Sequence, residues 1–349
     1  MGASGDDARR DGNLRQWLRR AVETAFGLRV TSLVPVRSAY KVSSPQGLFC
    51  LREVRRQAQA KLFFLHQMTE FLWGRGFPRV PRFFPTRAGE VGWPLGSRVF
   101  SLSGWLPGEE CRLERRADME AAARGLAALH RASVGFPLRP EHAPAVRWGM
   151  WAEEMAEGER LLNACLQRAS AAPRPASLDR WLIRNSPWVA GRIAKAREGL
   201  AELAVPLAEW GPGVFCHNSL YYQNILVDPG RTICFVDLDR AVWDHRARDL
   251  AHFLDRYLQR VGWREDLAYA ALNAYSEVWP LSPLDRQLLY LRLLFPERLL
   301  KRLWSHYGPK AKELRRATAR VVHLARHGRQ RAAFLERLAG WVESGRPPR

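Results

Sequence analysis

Residues 215–228 read FCHNSLYYQNILVD, and residues 233–239 read ICFVDLD. The grammar is apolar run, polar loop, apolar run, turn, and a last apolar run that ends on an acid. Asp228-Pro229-Gly230-Arg231 is a turn signal between two apolar runs: proline presets φ and glycine accepts positive φ. A hairpin of this length can bring Asn224, at the end of the loop, near Asp237, at the end of the last strand. An amide oxygen beside a carboxylate is a hard-oxygen pair suited to Mg²⁺ carrying a nucleotide phosphate. Asn224 and Asp237 are therefore the candidate metal ligands. Asp239 is either a further acid or a partner for local backbone amides.

A chain of 349 residues exceeds one compact core and suits two lobes. The apolar fraction, 47%, is ordinary for a globular protein. Cys50, Cys111, Cys165, Cys216 and Cys234 are scattered without a Cys-x-x-Cys pair. That argues against zinc and a disulfide framework and fits a reducing compartment. No stretch approaches the roughly 20 apolar residues of a membrane span. Residues 1–20 are polar and charged, without the apolar region of a signal peptide, so the expected site of synthesis and residence is the cytoplasm. The formal charge is +20, which favours polyanions in general. However, arginine greatly outnumbers lysine and alanine and leucine are abundant, the imprint of a GC-rich genome, and no nucleic-acid recognition motif accompanies the charge.

Along the chain, residues 1–12 are expected to be disordered, and Leu14, Leu18, Val22 and Phe26 recur at helical spacing. Strand-like runs follow over 28–36, 39–43 and 48–54, with Ser44-Pro45-Gln46-Gly47 as a hairpin turn. A helix over 57–74 carries Leu62, Leu65, Thr69 and Leu72 on one stripe and stops at Gly76-Phe77-Pro78. An extended connector and a hairpin over 87–105 complete a pattern of five strands and a helix, the pattern of a small mixed lobe. Helices are expected at 117–132, through 146–205 with a break at 171–175, and at 249–259, 264–278, 283–307 and 309–342. The fold class is α+β: a small β-rich N-lobe with one main helix over 13–105, then a large, mostly helical C-lobe over 106–349 holding the hairpin at 214–239.

The loop resembles the His-x-Asp-x-x-x-x-Asn pattern of kinase-like phosphotransferases. His217 and Asn224 stand at the right spacing, and Asp237 has its counterpart. In order along the chain come Cys50-Leu51-Arg52, Glu70-Phe71-Leu72 before Gly76-Phe77, Trp105-Leu106-Pro107-Gly108, Ala127-Ala128-Leu129-His130, the loop itself, and Leu294-Phe295-Pro296-Glu297. With these, residues 25–310 resemble the aminoglycoside phosphotransferase-like branch of the protein-kinase fold, and within it the CotS family of spore coat proteins.

The resemblance implies roles, and the sequence departs from several. Ser219 holds the position of the catalytic aspartate, and a serine hydroxyl is no proton acceptor near neutral pH. Arg52 holds the position of the phosphate-gripping lysine; its fork can hold phosphate, but the exchange is not conservative. Glu70 matches the helix glutamate expected to pair with residue 52. Arg37-Ser38-Ala39-Tyr40-Lys41 stands where a glycine-rich phosphate cover is expected, so backbone amides cannot approach phosphate as freely. His217 is read as a brace for the loop and Trp105 as core. Asp249 is read as a helix cap that ties the loop. The family likeness implies a spore coat protein, first in the mother-cell cytoplasm and then in the coat. Its partners would be other coat proteins, its site degenerate, and Mg and ATP its candidate ligands; membrane and nucleic acid are not implied. A second reading is an active ATP-dependent small-molecule phosphotransferase of the aminoglycoside, choline or homoserine kinase kind. A third, from charge alone, is a polyanion binder.

Overall fold

The computed structural model describes residues 5–112, 114–309 and 328–344. In chain order, α1 (Gly5–Phe26) leads into β1 (Ser32–Val36), β2 (Ala39–Ser44) and β3 (Gly47–Glu53). A single turn, α2 (Arg56–Gln59), precedes α3 (Leu62–Gly74), and β4 (Phe83–Phe84), β5 (Trp93–Leu95), β6 (Arg98–Gly104) and β7 (Glu109–Glu110) follow. Three helices come next: α4 (Arg116–Ser133), α5 (Trp151–Ser170) and α6 (Ser177–Glu202). The short strands β8 (Val214–Cys216), β9 (Ile225–Val227), β10 (Ile233–Phe235) and β11 (Val242–Asp244) surround the loop. The described chain ends in α7 (Arg246–Leu258), α8 (Glu265–Val278), α9 (Pro283–Leu294), α10 (Glu297–Tyr307) and α11 (Gly328–Ser344).

One compact unit takes in the described residues of Met1–Cys111, Leu129–Val146 and Tyr222–Val242. Its main sheet is antiparallel in the order β1-β2-β3-β6-β4, with β5 also on β6. Strand periodicity sets the core: Val42, Phe49, Leu51, Phe100 and Leu102 pack together, and Leu18 and Val22 of α1 close over them. Each such burial stabilises by about 1.5–3 kcal/mol. Helix α3 buries Leu62, Leu65, Thr69 and Leu72, the expected stripe. It ends with Gly76 at φ +76, whose N–H donates to Trp73 O at 3.0 Å while Phe77 N–H donates to Leu72 O at 2.9 Å. That is the paired closure of a glycine-terminated helix.

Several expectations change here. Helix α1 begins at Gly5, ahead of the apolar stripe that starts at Leu14. The sheet has six strands, not five, because β4 also joins β6. The unit carries the expected main helix, α3, and α1 also packs on its core. A single boundary after residue 105 also fails, since the 222–242 hairpin groups with the small sheet. The reason is a second ladder, β10-β9-β7, in which Glu109 pairs with Val227 and Glu110 with Leu226. Gly108 permits that approach: at φ +155, a Cβ there would lie 2.9 Å from Val227 O and 3.0 Å from Leu226 Cβ.

The second unit takes in the described residues of Arg112–Ala128, Arg147–Tyr221 and Trp243–Arg349 and is helical. Helix α5 packs on α6 and α10, and α9 packs on α6, α7 and α11. Ser282 opens α9: its Oγ accepts the Asp285 N–H at 3.1 Å, and the Asp285 carboxylate accepts the Ser282 N–H at 2.7 Å. The helix expected over 283–307 is two helices, because Pro296 forces Phe295 to extended ψ 124. A buried ion cluster ties these helices together. Arg248 donates to Asp244 and to Glu154 at 2.7 Å, and Arg292 donates to Glu154 at 3.0 Å and to Glu297 at 2.7 Å. Phe334, Leu338 and Trp341 of α11 are buried, as expected for an apolar face that packs. Leu314, Val321 and Leu324 lie outside the described residues.

Candidate functional site

On β3 the residues alternate. Phe49 and Leu51 enter the core, and the intervening Cys50 and Arg52 face the other way, into a cavity of about 430 Å³ lined by the first unit. Register places Arg52 opposite Ala39 on β2 and Ser101 on β6. Asn224 closes a short 3-10 turn just before β9. Its carbonyl accepts the Val236 N–H at 2.9 Å, so the end of the loop and the end of the β10 strand are fastened side by side. Asp237 comes next, at φ 66 and ψ 65. A left-handed aspartate costs about 1–3 kcal/mol and is kept only where its surroundings enforce it. Asn224, Asp237 and Asp239 all line the same cavity as Arg52, the juxtaposition the hairpin grammar predicts.

Arg52 is not free in that cavity. Its guanidinium donates to Asp237 Oδ1, and Asp239 Oδ2 lies 3.6 Å from the same nitrogen. Burial works against the guanidinium charge, but Asp237 and Asp239 outweigh it and hold Arg52 above its usual range. Burial raises the Asp239 carboxyl more than Arg52 lowers it. Burial likewise pushes up the neighbouring Cys50 thiol. The hard oxygens of Asn224, Asp237 and Asp239 are the right donor types for Mg²⁺. The guanidinium already supplies positive charge at Asp237.

Glu70 requires a correction. Its carboxylate takes both bonds of an Arg82 fork, each at 2.6 Å, and Glu70 is not among the residues lining the cavity. Arg82 lies close to α3 at the start of β4, and its rigid fork wins the acid that a shorter-range pairing with Arg52 would need. Arg52 correspondingly turns to the two aspartates. Trp105 is half-buried and forms a wall of the cavity instead of core, with Lys41 Nζ 5.2 Å from its ring centre. The β1–β2 turn, where phosphate-covering glycines were missing, places Arg37 at φ 55 and ion-pairs it with Glu110. Sequence reasoning missed that pair and the sharing of Arg52 with Asp239. The Asp-Leu-Asp spacing was the available signal for the second.

In the second unit, His217 and Ser219 are buried. The loop is held by Asp249, whose two carboxylate oxygens accept the N–H groups of His217 at 2.5 Å and Asn218 at 2.6 Å. Asn218 takes φ 55, a conformation asparagine tolerates. The expected tie is present, but Asp249 is not the cap of its helix: α7 starts earlier, and His245 Nδ1 accepts the Ala247 N–H at 3.1 Å. His252 Nδ1 accepts the Leu220 N–H at 3.3 Å, and burial, followed by Arg256, pushes its imidazole down to about 3. Arg256 stacks 3.9 Å from the Tyr221 ring centre and donates to its hydroxyl. Tyr221 is thus a fixed part of the loop.

A small antiparallel sheet followed by helices, a strand-borne cation, and an asparagine–aspartate hairpin define a kinase-like, aminoglycoside phosphotransferase fold. A solved aminoglycoside phosphotransferase from Alicyclobacillus acidocaldarius shares that fold with TM-score 0.75 at 20% identity, covering 93% of this chain and 96% of that one. Within it, the chain belongs to the family described as "Spore coat putative kinase YutH", whose profile matches residues 19–338. Among its relatives, the endospore coat-associated protein YutH of Bacillus subtilis is 25% identical over 83% of each chain. Spore coat protein S of the same organism is 22% identical over 74% of each. The expected likeness to coat proteins of the kinase fold therefore holds. No helix among the described residues is long and apolar enough to cross a membrane.

Proposed function

We propose that this chain is a spore coat component whose phosphotransferase site is degenerate, and that it acts mainly in coat assembly alongside other coat proteins. The observation that carries the reading is the Arg52 guanidinium seated on Asp237. In an active site of this class the strand cation pairs with a helix acid while it grips phosphate, and the hairpin acid is left to hold metal. Here each neutralises the other. Ser219 supports the same reading, because it leaves the position of the proton acceptor without a carboxylate. The loss of a general base alone costs on the order of 10²- to 10⁴-fold in rate.

Bound Mg-ATP would supply the transferable phosphoryl group and the charge that steadies it. Asn224 and Asp237 are the residues that would hold the metal, and Arg52 the phosphates. Asp237 draws on the charge and a donor of Arg52 that phosphate would use, so nucleotide binding is expected to be weak. A thermal-shift titration with Mg-ATP tests this part: a small shift confined to millimolar ligand is expected, and none at that concentration removes the nucleotide from the proposal. A tagged chain in sporulating cells is expected to localise to the coat; a diffuse signal in mature spores counts against the assembly role.

The second reading, an active small-molecule phosphotransferase, is favoured by the placement of Asn224 and Asp237 on one cavity. It requires ATP turnover that disappears in Asp237→Ala. The degenerate-site reading expects no turnover above background, and none gained by Ser219→Asp while Arg52 remains.

A further inference from the structure

The helical unit holds a second cavity, of about 70 Å³, at the meeting of α6, α7, the start of α10 and the start of α11. None of its lining residues lines the Arg52 cavity. Four of the groups around it are hydrogen-bond donors, buried and with no acceptor among the described residues: Arg192 Nε, Gln259 Nε2, Trp263 Nε1 and Arg331 Nη1. Buried donors are nearly always satisfied, and each one left unmet costs about 1–3 kcal/mol. Four unmet groups around one cavity, all donors, describe a missing acceptor.

The charges agree. Five arginines and two acids, Asp255 and Glu297, line the cavity. Glu297 is engaged by Arg292 and by the exposed Lys301. Asp244 and Glu154 neutralise Arg248, and Glu154 also serves Arg292. Asp255 is shared by Arg298 at 2.8 Å and Arg331 at 3.2 Å. Among the described residues, no carboxylate bonds Arg192. One of its nitrogens donates to the Leu293 and Leu294 carbonyls at the end of α9, and its face lies 5.2 Å from the Trp188 ring centre. Burial pushes its guanidinium down to about 10, an effect that Asp255 opposes without cancelling.

We infer that this cavity is a binding site for a small oxyanion of the phosphate type, held by Arg192, Gln259, Trp263 and Arg331. A tetrahedral oxyanion presents several acceptor oxygens and one or two negative charges, which match four unmet donors around one cavity and a guanidinium that Asp255 compensates only in part. The volume is ample for such an ion, since a single water needs about 10–15 Å³ on the same measure. Ordered waters alone would satisfy donors but leave the Arg192 charge compensated only in part.

The test is calorimetric titration of the full chain with inorganic phosphate against chloride at matched ionic strength. Saturable binding to one site is expected. Trp263→Phe keeps the ring and loses the donor, and affinity should fall about 10-fold or more, the lower end for a hydrogen bond to a charged group. Arg192→Met should weaken binding about 100-fold, as for a hydrogen bond to a charged group. Arg192 also braces the end of α9, so Gln259→Leu, which removes an orphan donor and no brace, serves if that variant does not fold. Competition by glycerol 3-phosphate would mark the cavity as a seat for the phosphoryl head of a larger molecule, and its failure as a seat for the free ion. Absence of saturable phosphate binding, or binding that survives Trp263→Phe and Gln259→Leu unchanged, overturns the assignment.

Discussion

Replacing Arg52 by methionine keeps the length and apolar stem of the side chain and removes the guanidinium from Asp237 and Asp239. Two effects follow with opposite signs. The first is lost stability. Two unit charges in contact near a protein surface attract by about 4 kcal/mol before desolvation and screening. The Asp237 side chain is 35% exposed and that of Arg52 24%, so the net worth of the pair is discounted to about 1–2 kcal/mol. The second is a gain in metal affinity. A divalent cation no longer has to displace a guanidinium, and it relieves the repulsion between two carboxylates that share a wall. Recovering about 2 kcal/mol corresponds to roughly 30-fold tighter binding. The assay is the unfolding midpoint followed as a function of Mg²⁺ for the parent chain and for Arg52→Met. The variant should start lower and rise at Mg²⁺ concentrations where the parent does not respond, gaining about 1.4 kcal/mol for each tenfold of metal above its dissociation constant. Arg52→Lys, which keeps the charge without the fork, should fall between the two. Identical Mg²⁺ responses in parent and Arg52→Met would refute the reasoning, because the guanidinium would then not be competing for the metal position.

Other expectations concern the loop and the helical unit. Asp249→Asn should destabilise by about 2–4 kcal/mol through the weakening of two charge-assisted bonds, and hydrogen exchange should speed up at the His217 and Asn218 amides; unchanged exchange there would deny Asp249 its tying role. His252 is held neutral when folded, with its imidazole pushed down to about 3, whereas an unfolded histidine titrates near 6.5. Between those values the unfolded chain binds a proton that the folded chain does not, so stability is fully present above about pH 6.5 and falls with acidification by up to about 1.4 kcal/mol per pH unit. His142 and His306 are also lowered by burial and add in the same direction; His252→Gln should therefore flatten the loss between about pH 6.5 and 4.5 in part, and urea unfolding that gives the same slope in the variant would contradict it. Gly158 on α5 is packed so closely that a Cβ would sit 2.6 Å from the Phe295 ring and 3.0 Å from Leu300, so Gly158→Ala should cost about 1–3 kcal/mol by overpacking, and a neutral melting result would show that α10 gives way more easily than its packing suggests.

Much of the fold is legible in local sequence because the signals are local. The Pro45-Gln46 turn, the Asp228–Arg231 turn and the stripe on α3 are each set by neighbours within a few residues, where strand period, helix period and turn chemistry act directly. The broken helix at Pro296 was also legible in principle, since the residue before a proline is driven from helical ψ, but the continuous apolar period on both sides masked it. The start of α1 has no such local signal: residues 5–12 lack an apolar stripe, and the helix is fixed on the core further along by Leu18 and Val22.

The sequence by itself named the candidate side chains: Asn224 and Asp237 at the ends of a hairpin, Ser219 at the position where the resemblance expects a proton-taking acid, and Arg52 where it expects the strand lysine. Tertiary structure decided how the charges are spent. In a chain with 55 cations and 35 acids, the choice of Arg82 for Glu70, of Asp237 for Arg52, 185 residues away, and, among the described residues, of backbone carbonyls for Arg192 depends on which groups folding brings within bonding distance. Coulomb attraction and hydrogen bonding fall off over a few ångströms and carry no trace of sequence separation, so no periodicity could have announced these pairings.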